Sequence, residues 1–293
     1  MRIILHAGAQ CTDEERLLTT LIRNKEVLTK AKVAVPHPKS YRIPIRKTLN
    51  QMLRKGQISE SAERLREITL PSTTIMAETV ILSNARFFGL PTEILTSGQL
   101  YPNATNLLEK FIELYRKEDV HLYFAVRNPA SFLPAVFAAS EITEFKEFLD
   151  NIDPFELKWS ELITRIRHAF PKLPITLWSN EDSPFIWGQI LRRITHLPAG
   201  QNLSGEFDIF SEMITPKGLE RFKSYLETHP SLNLRQLSIV MGAFAEKFGR
   251  REVIMEDVEA PGWDKIVIQD LTELYYEDLK ALPLIPNLSV ILP

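Results

Sequence analysis

The chain has 293 residues and is poor in cysteine, with Cys11 as the single one. One cysteine excludes an intrachain disulfide framework. The sequence also lacks the C-x-x-C and H-x-x-x-H spacings that indicate a zinc site. We therefore expect neither a disulfide scaffold nor a bound metal.

Long apolar runs and an excess of one charge are missing as well. No segment approaches the roughly 18 apolar residues of a membrane helix, and the apolar run before Gln10 is too short for a signal peptide. With 35 Lys and Arg against 37 Asp and Glu, net charge favours neither nucleic acid nor an anionic membrane as a partner. The composition, 44% hydrophobic, is that of an ordinary globular protein. These features predict a cytoplasmic protein without a membrane span.

Short β-rich runs alternate with helical patterns in the first part of the chain. Strands are predicted at residues 2–5, 33–35, 79–83, 120–126 and 175–178. Helical periodicity fills the intervals, most clearly at residues 13–32, 107–115 and 159–170. Strands that alternate with helices predict an α/β fold with a parallel sheet of about five strands covered on both faces.

Helical patterns dominate after residue 179. They cover residues 185–194, 219–226, 234–248 and 271–282, and a last apolar run at 288–292 is compatible with a small extra strand. We predict one domain, residues 1–293. Its core sheet spans about 1–180, and a helical C-terminal layer spans about 181–293.

The segment from residue 5 to 17, LHAGAQCTDEERL, follows the first strand. A strand, a glycine turn and a helix start, in that order, are typical of an anion-binding loop. Here Asp13, Glu14 and Glu15 stand in the predicted first turn of the helix, and no lysine is present. Thr12 and Glu15 predict a capping box that satisfies the first N–H groups of the helix. The loop has the position of an anion site and residues that disfavour an anion.

Three segments, in order along the chain, carry a resemblance to a known family. Residues 4–9, ILHAGA, resemble the opening of bacterial sulfotransferases, whose loop reads H-x-G-x-x-K-T-G-T-T-x-L. Residues 124–134, FAVRNPASFLP, resemble the family's second nucleotide-binding segment, a strand that ends in R-[DN]-P. Residues 177–182, LWSNED, are similar to the family's strand that ends in Y-E-D or E-D-L. A weaker similarity at residues 274–279, LYYEDL, extends the resemblance over nearly the whole chain.

The resemblance implies a fold and a chemistry. The fold is a parallel sheet of the P-loop type. The cofactor is 3'-phosphoadenosine 5'-phosphosulfate, from which such enzymes transfer sulfate to a hydroxyl or amine acceptor. On the loop pattern the family's lysine falls on Cys11, its glycine on Asp13 and its two threonines on Glu14 and Glu15. A cation over the transferring anionic group is the main electrostatic contribution of such a site, and cysteine does not supply one.

The second segment keeps only part of the family's pattern. Arg127 falls where the family's arginine holds the 3'-phosphate, whereas the serine expected eight residues later falls on Ala135. Relatives often carry an acid after the third strand, but residues 84–86 here read Asn-Ala-Arg. Losses at three separate points of one expected site indicate a pseudoenzyme.

The resemblance marks Gly8, Cys11, Thr12 and Arg127 as positions of a degenerate donor site. His6 is a weak candidate for a catalytic base, because open α/β sheets bind ligands at the carboxyl ends of their strands. Each of these residues also has a plain structural interpretation. In that interpretation, His6 is hydrogen-bonded to the backbone and Cys11 is an unreactive thiol. Arg127 pairs with a nearby acid such as Glu181 or Asp182.

Two functional hypotheses follow. In the first, the protein needs no cofactor and acts by binding a ligand or a protein, in polysaccharide or surface modification. In the second, it is an active sulfotransferase that uses 3'-phosphoadenosine 5'-phosphosulfate. A basic stretch contains Lys39, Arg42, Arg46 and Lys47. It is either the contact for an acidic glycan or a protein partner, or an ordinary solvated face.

Overall fold

The computed structural model of the chain describes residues 1–55, 60–70, 77–96, 98–197, 201, 203–254 and 258–293. Its strands are β1 (Arg2–His6), β2 (Val33–Ala34), β3 (Thr79–Ser83), β4 (Leu95–Thr96), β5 (Gln99–Leu100), β6 (Asp119–Val126), β7 (Ile175–Ser179) and β8 (Leu288–Val290). Six of these strands form one sheet in the order β2-β3-β1-β6-β7-β8, and every pairing in it is parallel. β4 and β5 form a separate antiparallel pair. The predicted α/β class is confirmed, and the run at residues 288–292 supplies the sixth strand.

The first half of the chain contains the helices α1 (Arg16–Arg23), α2 (Lys25–Lys30), α3 (Pro38–Lys55), α4 (Glu60–Thr69), α5 (Ala104–Leu114), α6 (Pro129–Ala138) and α7 (Phe145–Phe148). The second half contains α8 (Trp159–Ala169), α9 (Ser183–Thr195), α10 (Asp208–Met213), α11 (Pro216–Thr228), α12 (Leu234–Phe248), α13 (Arg251–Ile254) and α14 (Lys265–Ala281). Within the ranges given above, no helix is long and apolar enough to cross a membrane.

Each face of the sheet has its own apolar core. Ile3 and Leu5 of β1 belong to the core on one face, and Ile4 between them belongs to the core on the other. Successive side chains of a strand point to opposite faces. A strand that is buried on both sides therefore reads as an uninterrupted apolar run, which is why such strands are visible in the sequence.

Helices α10 to α12 enclose a third, smaller apolar cluster. Phe210, Ile214, Phe222 and Met241 are its buried members. Helix α9 contacts two cores, since Phe185 packs against this cluster and Ile186 belongs to the core of the sheet. The α10–α12 cluster is thereby packed onto the sheet layer.

The strand order creates a crevice at the carboxyl ends of β1 and β3. After β1 the chain runs to the edge strand β2, whereas after β3 it crosses to β6 on the other side of β1. The loops that follow these two neighbouring strands therefore leave in opposite directions. Open α/β sheets bind their ligands at such a point.

The predicted start of the first helix is wrong. Helix α1 begins at Arg16, and Glu15 before it has a left-handed backbone, with φ of 67°, and no side-chain cap. Thr12 makes no capping box, because its hydroxyl donates to the carbonyl of Ala9 at 2.8 Å. Asp13 takes the capping role instead, and its carboxylate accepts from the amide of Leu17 at 3.1 Å. The three acids therefore lie in the loop and not in the first helical turn.

Candidate functional site

Gly8 allows the loop after β1 to touch the loop after β3. Its φ is +95°, a conformation that L residues rarely adopt, and a Cβ on it would lie 2.8 Å from the carbonyl oxygen of Ala85. In an anion-binding loop, a glycine lets the backbone come close to the ligand. Here the same freedom lets one protein loop come close to another.

Two amides of the β1 loop are bound by strand β6. The amide of Ala7 donates to the carbonyl of Tyr123 at 3.0 Å, and the amide of Ala9 donates to the carbonyl of Ala125 at 2.9 Å. The loop thus continues the parallel pairing beyond the last residue of β1. These two N–H groups are not available to a phosphate.

Gln10 fixes the next part of the loop. Its side-chain amide donates to the carbonyl of Gly89 at 2.9 Å. Its carbonyl oxygen accepts from the hydroxyl of Tyr101, and the same hydroxyl accepts from the backbone amide of Gln10 at 3.4 Å. Burial raises the pKa of Tyr101, so the phenol stays protonated as this donor. No sequence pattern identifies Gln10 or Tyr101 as part of this site.

Arg127 holds the same loop from the end of β6. Its guanidinium donates to the backbone carbonyl of Cys11, and its Nε donates to the hydroxyl of Ser131 at 2.9 Å. The side chain is buried, with 8% of the residue exposed. The indole of Trp159 donates to the Arg127 carbonyl at 2.8 Å. The structure thus brings Arg127 and Cys11 together, as the resemblance implies, but through a carbonyl oxygen of the loop.

Cys11 is half-buried, and its backbone has φ of 54°. Burial raises the pKa of the thiol, and the opposing effect of Arg127 and Arg86 does not overcome it. A protonated thiol is a poor nucleophile and a poor metal ligand. The unreactive interpretation of Cys11 fits these surroundings.

A pocket of about 140 Å³ opens in front of this loop. Its lining contains the carboxylates of Asp13, Glu14 and Glu15 and the guanidinium of Arg86. The Glu15 carboxylate accepts both terminal nitrogens of Arg42, at 2.8 and 2.7 Å. A terminal nitrogen of Arg16 also lies 3.8 Å from the Glu14 carboxylate, so Glu14 and Glu15 in the lining are both paired with arginines.

His6 lies inside the protein, at the end of β1. Its Nδ1 shares a hydrogen bond of 2.9 Å with the Ser83 hydroxyl, and its ring stacks on Trp178 with centroids 5.7 Å apart. The residue is 0% exposed, and Nε2 has no hydrogen-bond partner in the described parts of the chain. Burial lowers the pKa of His6, which keeps the ring neutral. Its partner is thus a hydroxyl and not the backbone.

The basic stretch divides into inward and outward side chains. Arg42 turns inward, where its Nε donates to the carbonyl of Ser83 at 2.8 Å and its terminal nitrogens bind Glu15. Lys39, Arg46 and Lys47 are exposed. The four cations therefore do not form one uniform surface.

The end of β7 carries an acidic pair with different surroundings. The Glu181 carboxylate accepts from the Asn128 amide at 2.8 Å and from the Ser179 and Tyr275 hydroxyls at 2.7 and 2.8 Å. Burial, reinforced by the charge of Glu181, raises the pKa of Asp182 to about 6. Tyr275 comes from α14, near the end of the chain, and no sequence pattern links it to this group.

A second pocket, of about 220 Å³, lies between α3, the segment after β3 and α5. Arg46 and Arg86 both line it, and Arg86 also lines the pocket at the β1 loop. The two pockets are thus neighbours at the crevice of the sheet. Among the described residues, no group of three or more histidine, cysteine or acidic side chains is placed to hold a metal ion.

Neither the known protein-family models nor the curated proteins contain a match to this chain. The crevice and its two pockets are therefore the features of the chain that bear on its function.

Proposed function

We propose that the protein is a sulfotransferase-like protein of P-loop type that has lost donor binding and acts by binding a ligand or a partner. The order of the strands supports the fold part of this proposal. Strand β1 lies inside the sheet between β3 and β6, and its carboxyl end leads through a glycine loop to α1. This is the arrangement in which such folds place an anion.

The contact between Arg127 and the Cys11 carbonyl is the observation that carries the loss of donor binding. A donor site directs loop N–H groups and a free cation at the anion. In this chain the loop directs a carbonyl oxygen at the cation. The amides of Ala7 and Ala9 are meanwhile bound to β6. Arg127 and these two amides are thus used to hold the loop.

The carboxylates in front of the loop also weaken the binding of an anionic donor. A phosphate about 4 Å from one ionised carboxylate is repelled by roughly 4 kcal/mol at an effective dielectric constant near 20. Asp13, Glu14 and Glu15 line the pocket together with Arg86. Arg42 pairs with Glu15, and a terminal nitrogen of Arg16 lies 3.8 Å from the Glu14 carboxylate. The acids thus reduce the attraction that these arginines would exert on a highly charged nucleotide.

Titration with adenosine 3',5'-bisphosphate, followed by calorimetry, tests this function. We expect no measurable binding at ligand concentrations on the order of 1 mM, which corresponds to less than about 4 kcal/mol of binding free energy. The R127Q variant should behave like the wild type. R235Q, at an exposed position on α12, is the control. Micromolar binding that R127Q abolishes and R235Q leaves intact would contradict the proposal and favour an active sulfotransferase.

A further inference from the structure

The 220 Å³ pocket between α3 and α5 has unused cations. Arg46 and Arg86 line it, and neither guanidinium makes a hydrogen bond or an ion pair in the described part of the chain. Arg42, four residues before Arg46 on the same helix, is by contrast bound to Glu15 through both terminal nitrogens. Guanidinium groups without a protein partner are suited to bidentate contact with a carboxylate, phosphate or sulfate.

Three asparagine amides line the same pocket. Asn84 uses its oxygen to accept from the Arg86 amide at 3.2 Å, while its NH₂ group makes no hydrogen bond in the described structure. The side chains of Asn50 and Asn103 make none there either. An amide offers both a donor and an acceptor, which is the combination that a ligand hydroxyl needs.

The net charge of the lining limits the charge of the ligand. Glu93 is the acid in the lining, and one of its oxygens accepts from the amide of Leu90 at 2.8 Å. Two guanidinium groups and one carboxylate leave a single positive charge in excess. The pocket therefore suits a ligand with one anionic group better than a polyphosphate.

The floor of the pocket is apolar. Leu49, Phe87, Phe88 and Leu107 contribute to the lining and are themselves buried. A pocket of about 220 Å³ is smaller than the roughly 300–1,000 Å³ of sites for drug-sized ligands. It accommodates one ring that has an apolar face and polar edges.

We propose that this pocket binds a single hexuronate unit, a sugar ring with one carboxylate. The carboxylate lies against Arg46 and Arg86, the hydroxyls face Asn50, Asn84 and Asn103, and the apolar face of the ring rests on the Phe and Leu floor. The inference rests on the proposed function, because it names the ligand through which a protein without a donor would act.

Calorimetric titration with D-glucuronate tests the pocket. We expect a dissociation constant on the order of 1 mM, and at least tenfold weaker binding in R46Q and in R86Q. Lys47 is the next residue on the same helix and does not line the pocket, so K47Q removes the same charge and should bind as the wild type does. Because Arg46 and Arg86 hold no other residue in the described structure, thermal unfolding should show that both variants remain folded.

Two further probes complete the experiment. Methyl glucoside lacks the carboxylate and should not bind, and inorganic sulfate should bind more weakly than glucuronate because it has no ring. The proposal is overturned if the wild type does not bind glucuronate at about 10 mM, if R46Q binds it unchanged, or if sulfate binds as tightly. Arg46 lies outside the pocket at the β1 loop, so these outcomes are independent of the adenosine bisphosphate titration.

Discussion

Gly8 is the residue on which the closed β1 loop depends most directly. Its positive φ and the Ala85 carbonyl 2.8 Å from the site of a Cβ leave no room for a side chain. The contact joins the loops after β1 and β3, the two strands that border the crevice. A glycine at this point serves the packing of the protein and does not itself indicate a ligand.

Replacing Gly8 by alanine should therefore destabilise the protein. We expect G8A to lose about 2–4 kcal/mol of unfolding free energy in urea, from backbone strain and from the clash with Ala85. Gly242 provides the control, since it lies in helix α12 and a Cβ added to it would meet nothing within 4 Å. G242A should be neutral or stabilising by up to about 1 kcal/mol. Equal effects of the two substitutions would contradict the assignment of Gly8.

Asp182 should make stability depend on pH. Its folded pKa, about 6, lies above the ordinary value of 3.8. The contribution of Asp182 to the free energy of unfolding is therefore most favourable below pH 3.8, and it is lost as the pH rises through 6. At pH 8 the wild type keeps a partly buried carboxylate next to Glu181, and D182N removes that charge. After allowance for partial exposure, we expect D182N to be more stable by about 1 kcal/mol at pH 8.

This difference should shrink towards zero at pH 4, where Asp182 is protonated in the folded protein. Urea unfolding of both proteins between pH 4 and pH 8 measures it. D270N, at an exposed position on α14, serves as the matched control. A constant difference across this range would show that the charge of Asp182 is not its cause.

At the scale of elements, α14 caps the start of α8. Lys158 precedes α8 and supplies no side-chain cap. Asp278 of α14 replaces it and accepts from the amides of Trp159 and Ser160, at 2.7 and 3.2 Å, and from the Ser160 hydroxyl. A carboxylate at a helix N-terminus also interacts favourably with the helix dipole. One buried side chain thus joins two helices.

Removal of this cap should cost more than removal of an exposed acid on the same helix. We expect D278A to lose about 2–3 kcal/mol of stability, because buried N–H groups lose their acceptor. D270A should change stability by less than about 0.5 kcal/mol. Chemical denaturation measures both, and a small loss in D278A would mean that water replaces the carboxylate.

The inner strands of the sheet are predictable from the sequence because they are buried on both faces and are therefore mostly apolar. The start of α12 is predictable too, and Asn233 and Gln236 form a capping box there. The start of α1 is not. Cys11, Glu14 and Glu15 all have positive φ, a rare conformation for residues other than glycine, and nothing in their residue types indicates it.

The candidate site is predictable in position and not in its contacts. The resemblance identifies Arg127, but its bond to the Cys11 carbonyl joins residues 116 positions apart and depends on tertiary packing. The same holds for the pocket that joins Arg46 of α3 with Arg86 after β3. Local patterns identify such residues one at a time and do not show which of them meet.

For the whole molecule, packing favours the single domain predicted for residues 1–293. Phe222 lies at the centre of the α10–α12 cluster, with ring centroids 5.3, 5.0 and 5.4 Å from those of Phe207, Phe210 and Phe244. Helix α9 packs against this cluster and against the sheet core. Disruption of the α10–α12 cluster should therefore also destabilise the sheet.

Truncation of Phe222 tests this coupling. We expect F222A to lose about 3–5 kcal/mol of unfolding free energy. The variant should still unfold in one transition, with the same urea midpoint by tryptophan fluorescence and by far-ultraviolet circular dichroism. Trp159, Trp178 and Trp187 report on the sheet cores. A fluorescence midpoint that stays at the wild-type value while the helical signal shifts would show two independent units.

At the scale of the whole molecule, the loop after β1 is held by β6 and Arg127, and the proposed function requires that it bind no anion. The most direct test follows the ¹⁵N–¹H signals of the amides of residues 7–12 during titration with adenosine 3',5'-bisphosphate. We predict that these signals keep their positions at ligand concentrations on the order of 1 mM. Saturable shifts of the Gly8 to Thr12 amides, with an affinity in the micromolar range, would contradict the claim.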